Sequence, residues 1–134
     1  MTKKYQLFLI LIMLLSACTD RQPKRYASVT GLKKEKMAYY RSLHAHAWPG
    51  VLARISACNI RNYSIYFKEI DSNYYLFSYF EYTGQDFDGD MKKMAADSLT
   101  RKWWKETDPC QQPLPDAAAK GQIWSDAEEL FHTD

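Results

Sequence analysis

Tyr40, His44 and Trp48 follow one another at four-residue intervals, a spacing that stacks them along one face of a helix. Met37, Val51 and Ile55 fall on the same stripe, so these side chains are expected to point inward. An imidazole titrates near neutral pH, with an unperturbed pKa of about 6.5. Flanked by a phenol one turn before and an indole one turn after, it has the company needed to move protons and hold a sugar ring. The plainer reading is a core stripe containing one hydrogen-bonded histidine, and only the aromatic neighbours argue against it. Tyr63 shares a strand face with Ile65 and Phe67, and taken alone it reads as a core or edge tyrosine. Trp103 and Trp104 are adjacent on a second helical stretch, about 100° apart. One is therefore expected to line a cavity while the other packs against the sheet or a partner. His46 falls on the opposite side from His44 and reads as exposed.

Other chemistries find little support. Asp86-Phe87-Asp88-Gly89-Asp90 begins like a calcium loop, but Lys92 and Lys93 intervene before the later ligands, so a solvated helix start is expected. Cys58 and Cys110 lie far apart with no histidine beside either, so no metal-ligand spacing is present. They read as two free, partly buried thiols more readily than as a bridge. Phosphate-binding glycine loops, a Gly-x-Ser-x-Gly elbow and His-Glu-x-x-His are all absent from the sequence. No cofactor or metal is called for.

The elements that must position these residues follow from pattern. Residues 26–32 read as a first strand, and Lys33 opens a long helical stretch. Pro49 interrupts that stretch, and the residue before a proline resists helical geometry, so two helix pieces meeting at Trp48-Pro49 are expected. Residues 59–67 and 74–82 are rich in β-branched and aromatic residues and are joined by the polar stretch 68–73. The second is apolar at nearly every position, as in a strand covered on both faces. A second helix is expected over about residues 88–106, then a loop marked by Pro109, Pro113 and Pro115. Residues 128–132 suit a last strand or a helical turn. That order is the βαββαβ pattern of a ferredoxin-like α+β domain, whose single sheet leaves one face to bury.

The chain has 134 residues, 46% apolar, 15% aromatic and 25% charged, with 5 Gly and 5 Pro, which suits one folded domain and excludes disorder. Its net charge of +2 is too small to support nucleic-acid binding. Residues 1–17 carry Lys3 and Lys4, then the apolar run 7–15, then small residues, which is the anatomy of a secretory signal. Nine helical residues reach only about 14 Å, against about 30 Å of bilayer hydrocarbon, so a permanent span is not expected. Leu15-Ser16-Ala17-Cys18 resembles a bacterial lipobox, which implies diacylation of Cys18 as the new N-terminus. The alternative is an ordinary cleaved signal or weak anchor with Cys18 incidental. Residues 18–25 then form a lipidated cysteine and polar tether, and 26–134 the folded domain. Loss of Lys3 and Lys4 lowers the 18 basic residues to parity with the 16 acidic ones. An exported, membrane-anchored protein facing the periplasm or cell surface is the expectation.

Three blocks in order resemble the L-rhamnose mutarotase family: Tyr40, His44 and Trp48-Pro49; then Asn62-Tyr63-Ser64-Ile65-Tyr66; then Arg101-Lys102-Trp103-Trp104. The resemblance covers residues 26–132. It implies a dimeric α+β barrel, an isomerase acting on a monosaccharide, and no cofactor. It also implies His44 as proton donor, with Tyr40, Tyr63, Trp103 and Trp104 contacting the sugar. One departure lies beside the histidine, where Ala45-His46-Ala47 replaces the family's Asn-Pro and an aliphatic residue, which bears on the choice of sugar. An export signal is a second departure from intracellular members. L-fucose mutarotation, a non-catalytic sugar-binding lipoprotein, and an oxygenase or haem-binding enzyme on the same barrel are the competing readings.

Overall fold

The computed structural model describes residues 22–133. The expected signal segment, Cys18 and most of the expected tether lie outside the described residues. Among the described residues, no helix is long and apolar enough to cross a membrane.

Strand β1 (Lys24–Leu32) leads through a 3₁₀ turn, Lys34–Lys36, into helix α1 (Met37–Ala45). Helix α2 (Pro49–Ala57) follows, with Trp48 extended between them and Pro49 in its first turn. The expected break at Trp48-Pro49 is thus present, because the proline ring forbids helical geometry at Trp48 while its missing N–H costs nothing at a helix start. Strands β2 (Ile60–Ile70) and β3 (Asn73–Tyr82) form a hairpin. It closes at Asp71 and Ser72, both with positive φ, 47° and 62°. That is the primed turn whose twist matches paired strands, and it lengthens β2 three residues beyond the expected end.

The expected single helix at 88–106 is two helices: α3 (Phe87–Ala96) and α4 (Ser98–Thr107). Asp97 separates them in extended geometry, and its carboxylate accepts from the Thr100 N–H at 2.8 Å and the Thr100 hydroxyl at 2.9 Å. A side chain that satisfies these orphan donors starts a new helix. The same carboxylate accepts from Arg54 at 3.1 Å, tying the junction to α2. Residues 111–127, expected as a loop, contain β4 (Gln111–Gln112), α5 (Pro115–Ala119) and β5 (Ser125–Ala127). The last strand therefore precedes residues 128–132, which have neither strand nor helix.

The antiparallel sheet runs β2–β3–β1, with β4 and β5 both on the outer edge of β1. This is the ferredoxin-like α+β order with its fourth strand in two short pieces. At Gly31 a β-carbon would lie 2.6 Å from the Gln112 carbonyl, so only glycine lets β4 approach there. Tyr26, Ser28, Thr30, Leu76, Ser78 and Phe80 face the helices through paired positions. Among the described residues nothing covers the opposite face, contrary to the expectation for residues 74–82: Phe77 is 37% exposed and its neighbour Tyr66 is 62% exposed.

The helix-side core is in two parts. Leu32, Tyr40, Leu76 and Cys110 form one cluster, and Cys58, Ile60 and Met94 the other. Cys58 and Cys110 are free thiols, fully rather than partly buried. Asp90 corrects the reading of a solvated helix start. It is buried and accepts from Lys93 at 2.9 Å, and from Tyr82 and Asn59 at 2.7 Å each. The Lys93 ammonium first, then the two neutral donors, hold its carboxyl down to about 2. Among the described residues no group of three His, Cys, Asp or Glu could hold a metal ion.

Candidate active site

A cleft opens between the two core clusters, bounded by α1, α2, α4 and β2. It has two confluent lobes of ≈ 440 and ≈ 880 Å³, a size range typical of small-molecule sites. Tyr40, His44, Tyr63 and Trp103 line both lobes, and Trp104 lines the larger.

Helix α1 places His44 one turn after Tyr40. The two rings stack at 4.1 Å between centroids, and His44 Nδ1 lies 2.9 Å from the Tyr40 carbonyl oxygen. A carbonyl can only accept, so Nδ1 carries the hydrogen and the neutral ring keeps its lone pair on Nε2. Burial pushes the His44 pKa below its ordinary value, opposed by the Tyr40 carbonyl. The imidazole is therefore neutral at physiological pH and ready to accept a proton.

Tyr63 reaches the cleft through an irregularity in β2. The pairing passes from Arg61 opposite Glu81 to Ser64 opposite Tyr79, leaving two residues of β2 against one of β3. Asn62 takes up the extra residue with φ 49°, and its amide donates to Glu81 at 2.6 Å. Such a bulge shifts strand alternation by one. Ile60 and Ile65, of opposite parity in sequence, thereby both face the helices, and Tyr63 turns in with them against Phe80. Although Tyr63 is 43% exposed overall, burial of its hydroxyl end raises its pKa. Burial raises that of Tyr40 as well. Both phenols keep their protons and serve as hydrogen-bonding groups.

Trp103, only 8% exposed, meets His44 edge-on at 5.2 Å and Trp48 edge-on at 5.3 Å. The two indoles do not divide their roles as the 100° separation suggested. Trp103 lines both lobes, while Trp104 lines the larger and also packs on the cluster around Cys58. Trp48 corrects the expectation of a shared helical face: extended geometry takes it off α1, and it supports Trp103 from behind without lining the cleft. In the Ala45-His46-Ala47 segment, Ala47 lines the smaller lobe, and His46 is exposed with Nδ1 3.3 Å from the Ser42 carbonyl.

Sequence reasoning missed Asp108 and Gln111, which line the larger lobe from a stretch read as loop. Burial raises the Asp108 pKa, against the opposing Thr107 hydroxyl. The only local signal was a polar residue on either side of Pro109-Cys110, which does not separate a wall from a surface turn.

The L-rhamnose mutarotase family pattern matches residues 25–133. The chain is similar to the L-rhamnose mutarotase of Oceanobacillus iheyensis, with 28% identity over 83% of this chain and 99% of the relative. It is similar also to the Bacillus subtilis protein of that name, with 27% identity over the same shares. A crystal structure of an L-rhamnose mutarotase from Formosa agariphila superposes with a TM-score of 0.62, at 23% identity, over 83% of this chain and 99% of that one.

Proposed function

The chain belongs to the L-rhamnose mutarotase family, and from that premise we propose that it interconverts the α and β anomers of L-rhamnose or a closely related 6-deoxy hexose. Family membership favours this isomerase over a non-catalytic sugar binder or an oxygenase on the same barrel. The observation that carries the reading is a neutral imidazole, tautomer set by the Tyr40 carbonyl, in the wall of an aromatic cleft.

Mutarotation breaks the bond from C1 to the ring oxygen, lets C1 turn, and re-forms the bond to the other face. The anomeric hydroxyl must lose a proton and the ring oxygen must gain one. Both oxygens are bonded to C1, so a single nitrogen can serve both. His44 Nε2 takes the anomeric proton as C1 becomes a carbonyl, then gives it to the ring oxygen as donor; closure reverses the order. Acid–base help of this kind contributes about 10²–10⁴-fold. Tyr40 and Tyr63 hydrogen-bond the sugar hydroxyls, and the Trp103 and Trp104 faces receive the sugar's C–H face and 6-methyl.

Saturation transfer between the anomeric NMR signals tests the reading, with L-rhamnose and L-fucose as substrates. Acceleration of either by the protein is expected, and no acceleration of either refutes the reading for these sugars. The depressed His44 pKa adds a pH prediction. The free base is the resting form, so kcat/KM above the spontaneous rate should be level above about pH 6.5 and decline only below it. A rise on acidification through that range would make imidazolium the working form and contradict the scheme.

The sheet face left open among the described residues suits a second copy of the chain, since Ile70, Tyr66 and Phe77 present apolar surface there. A homodimer in sedimentation equilibrium is expected. Lipidation at Cys18 and an exported location complete the proposal: the protein should partition with membranes, and Cys18→Ala should release it. Such an enzyme would act on sugars outside the cytoplasm.

A further inference from the structure

Resting on the mutarotase reading, we propose that Gln111 is a positioning residue that aims the Tyr40 hydroxyl hydrogen at the sugar. Gln111 begins β4, opposite Leu32 of β1, and is 6% exposed. Its amide Nε2 donates to the Tyr40 hydroxyl oxygen at 3.4 Å. A phenol has one hydrogen to give. With Gln111 occupying the acceptor side of the oxygen, that hydrogen is left for another partner, and the cleft lined by Tyr40 is where a sugar oxygen would supply one. Hydrogen bonds in unliganded sites are often long and tighten when substrate binds.

The other end of the same amide points to function. Gln111 Oε1 is buried and has no hydrogen-bond partner, alone in this among the described residues' buried side-chain polar atoms. A buried acceptor without a partner destabilises a fold, and an apolar side chain of similar shape would avoid that cost. An amide kept at such a position is explained by what its N–H₂ does for Tyr40, not by packing. Were the amide reversed, Oε1 would draw the Tyr40 hydrogen away from the cleft, and the sugar would meet an oxygen unable to donate.

The experiment uses the full chain and L-rhamnose, with wild type measured alongside Gln111→Met and Gln111→Glu. Gln111→Met removes the donor and the orphaned acceptor at nearly constant volume. The melting temperature should hold or rise, while kcat falls about tenfold with KM changed much less. Gln111→Glu supplies a second readout. As a carboxylate it accepts the Tyr40 hydrogen, and as a carboxylic acid it donates as the amide does. Tyr40 is bonded to this side chain, Tyr63, Cys110 and Asp108 lie close enough to act on the Tyr40 hydroxyl, and His44 and Asp126 line the same lobe. Burial among them should raise the new carboxyl's pKa, so activity relative to wild type should recover as pH falls from 7.5 to about 5.5. A kcat for Gln111→Met within twofold of wild type overturns the proposal. So does a parallel loss of stability and activity, or a failure to fold, together with no pH recovery in Gln111→Glu. Failure of wild type to accelerate exchange refutes the underlying reading, and this proposal with it.

Discussion

Replacing His44 with alanine should reduce anomer exchange by about 10²–10⁴-fold, to near the spontaneous rate, while leaving the protein folded. The loss is large because the substituted atom is the one that both accepts and returns the proton. Tyr40 and Tyr63 cannot substitute, since burial raises both phenol pKa values and keeps them protonated. The structural cost is small for local reasons. His44 is half-buried, its Nδ1 bond goes to a carbonyl one turn back in its own helix, and alanine is the better helix former. The melting temperature should therefore move by only a few degrees. Saturation transfer on wild type and variant, with thermal unfolding beside it, makes the check. Exchange retained within tenfold in a folded His44→Ala would assign the proton transfer to another group.

Trp103→Ala should be the most damaging substitution for the fold among the residues around the cleft. Trp103 is buried between His44 and Trp48 and closes both lobes. Removing a buried indole costs about 3–5 kcal/mol, a large fraction of the 5–15 kcal/mol that holds a typical domain together. A domain of this size should lose roughly 10–20 °C or more of melting temperature. Activity should fall with it, because the edge that fixes the His44 ring is gone. Trp103→Phe keeps an aromatic edge and should retain more of both. Equal melting temperatures for Trp103→Ala and wild type would show that the indole does not hold the cleft.

The features readable along the chain are those set by near neighbours. The stripe through Met37, Tyr40 and His44 needs only helical periodicity, and the division at Trp48-Pro49 only the geometry of a proline ring. Strands β2 and β3 are marked by aromatic and β-branched residues whatever they pair with. The Asp97 break also had a local signal, an N-cap aspartate before Ser98-Leu99-Thr100, hidden by apolar spacing that carries across it. The ferredoxin-like order and the grouping of Tyr40, His44, Tyr63, Trp103 and Trp104 were therefore within reach of the sequence and of its family resemblance.

Contacts between distant segments decided the rest. Gln111 looks like any polar loop residue until β4 pairs with β1 and brings its amide beside Tyr40, 71 positions earlier. The β2 bulge exists because Ile60 and Ile65 must both face the helices, a demand that alternation within one strand cannot express. Asp90 is a surface carboxylate by local rules and becomes buried only where Asn59, Tyr82 and Lys93 converge on it. Trp48 keeps its helical spacing in sequence yet leaves the helical face, because the chain straightens before Pro49. Periodicity, capping and turn geometry act over a few residues and are written in order along the chain. Burial and hydrogen-bond satisfaction depend on which segments meet, and that is settled only when the sheet and helices close around the cleft.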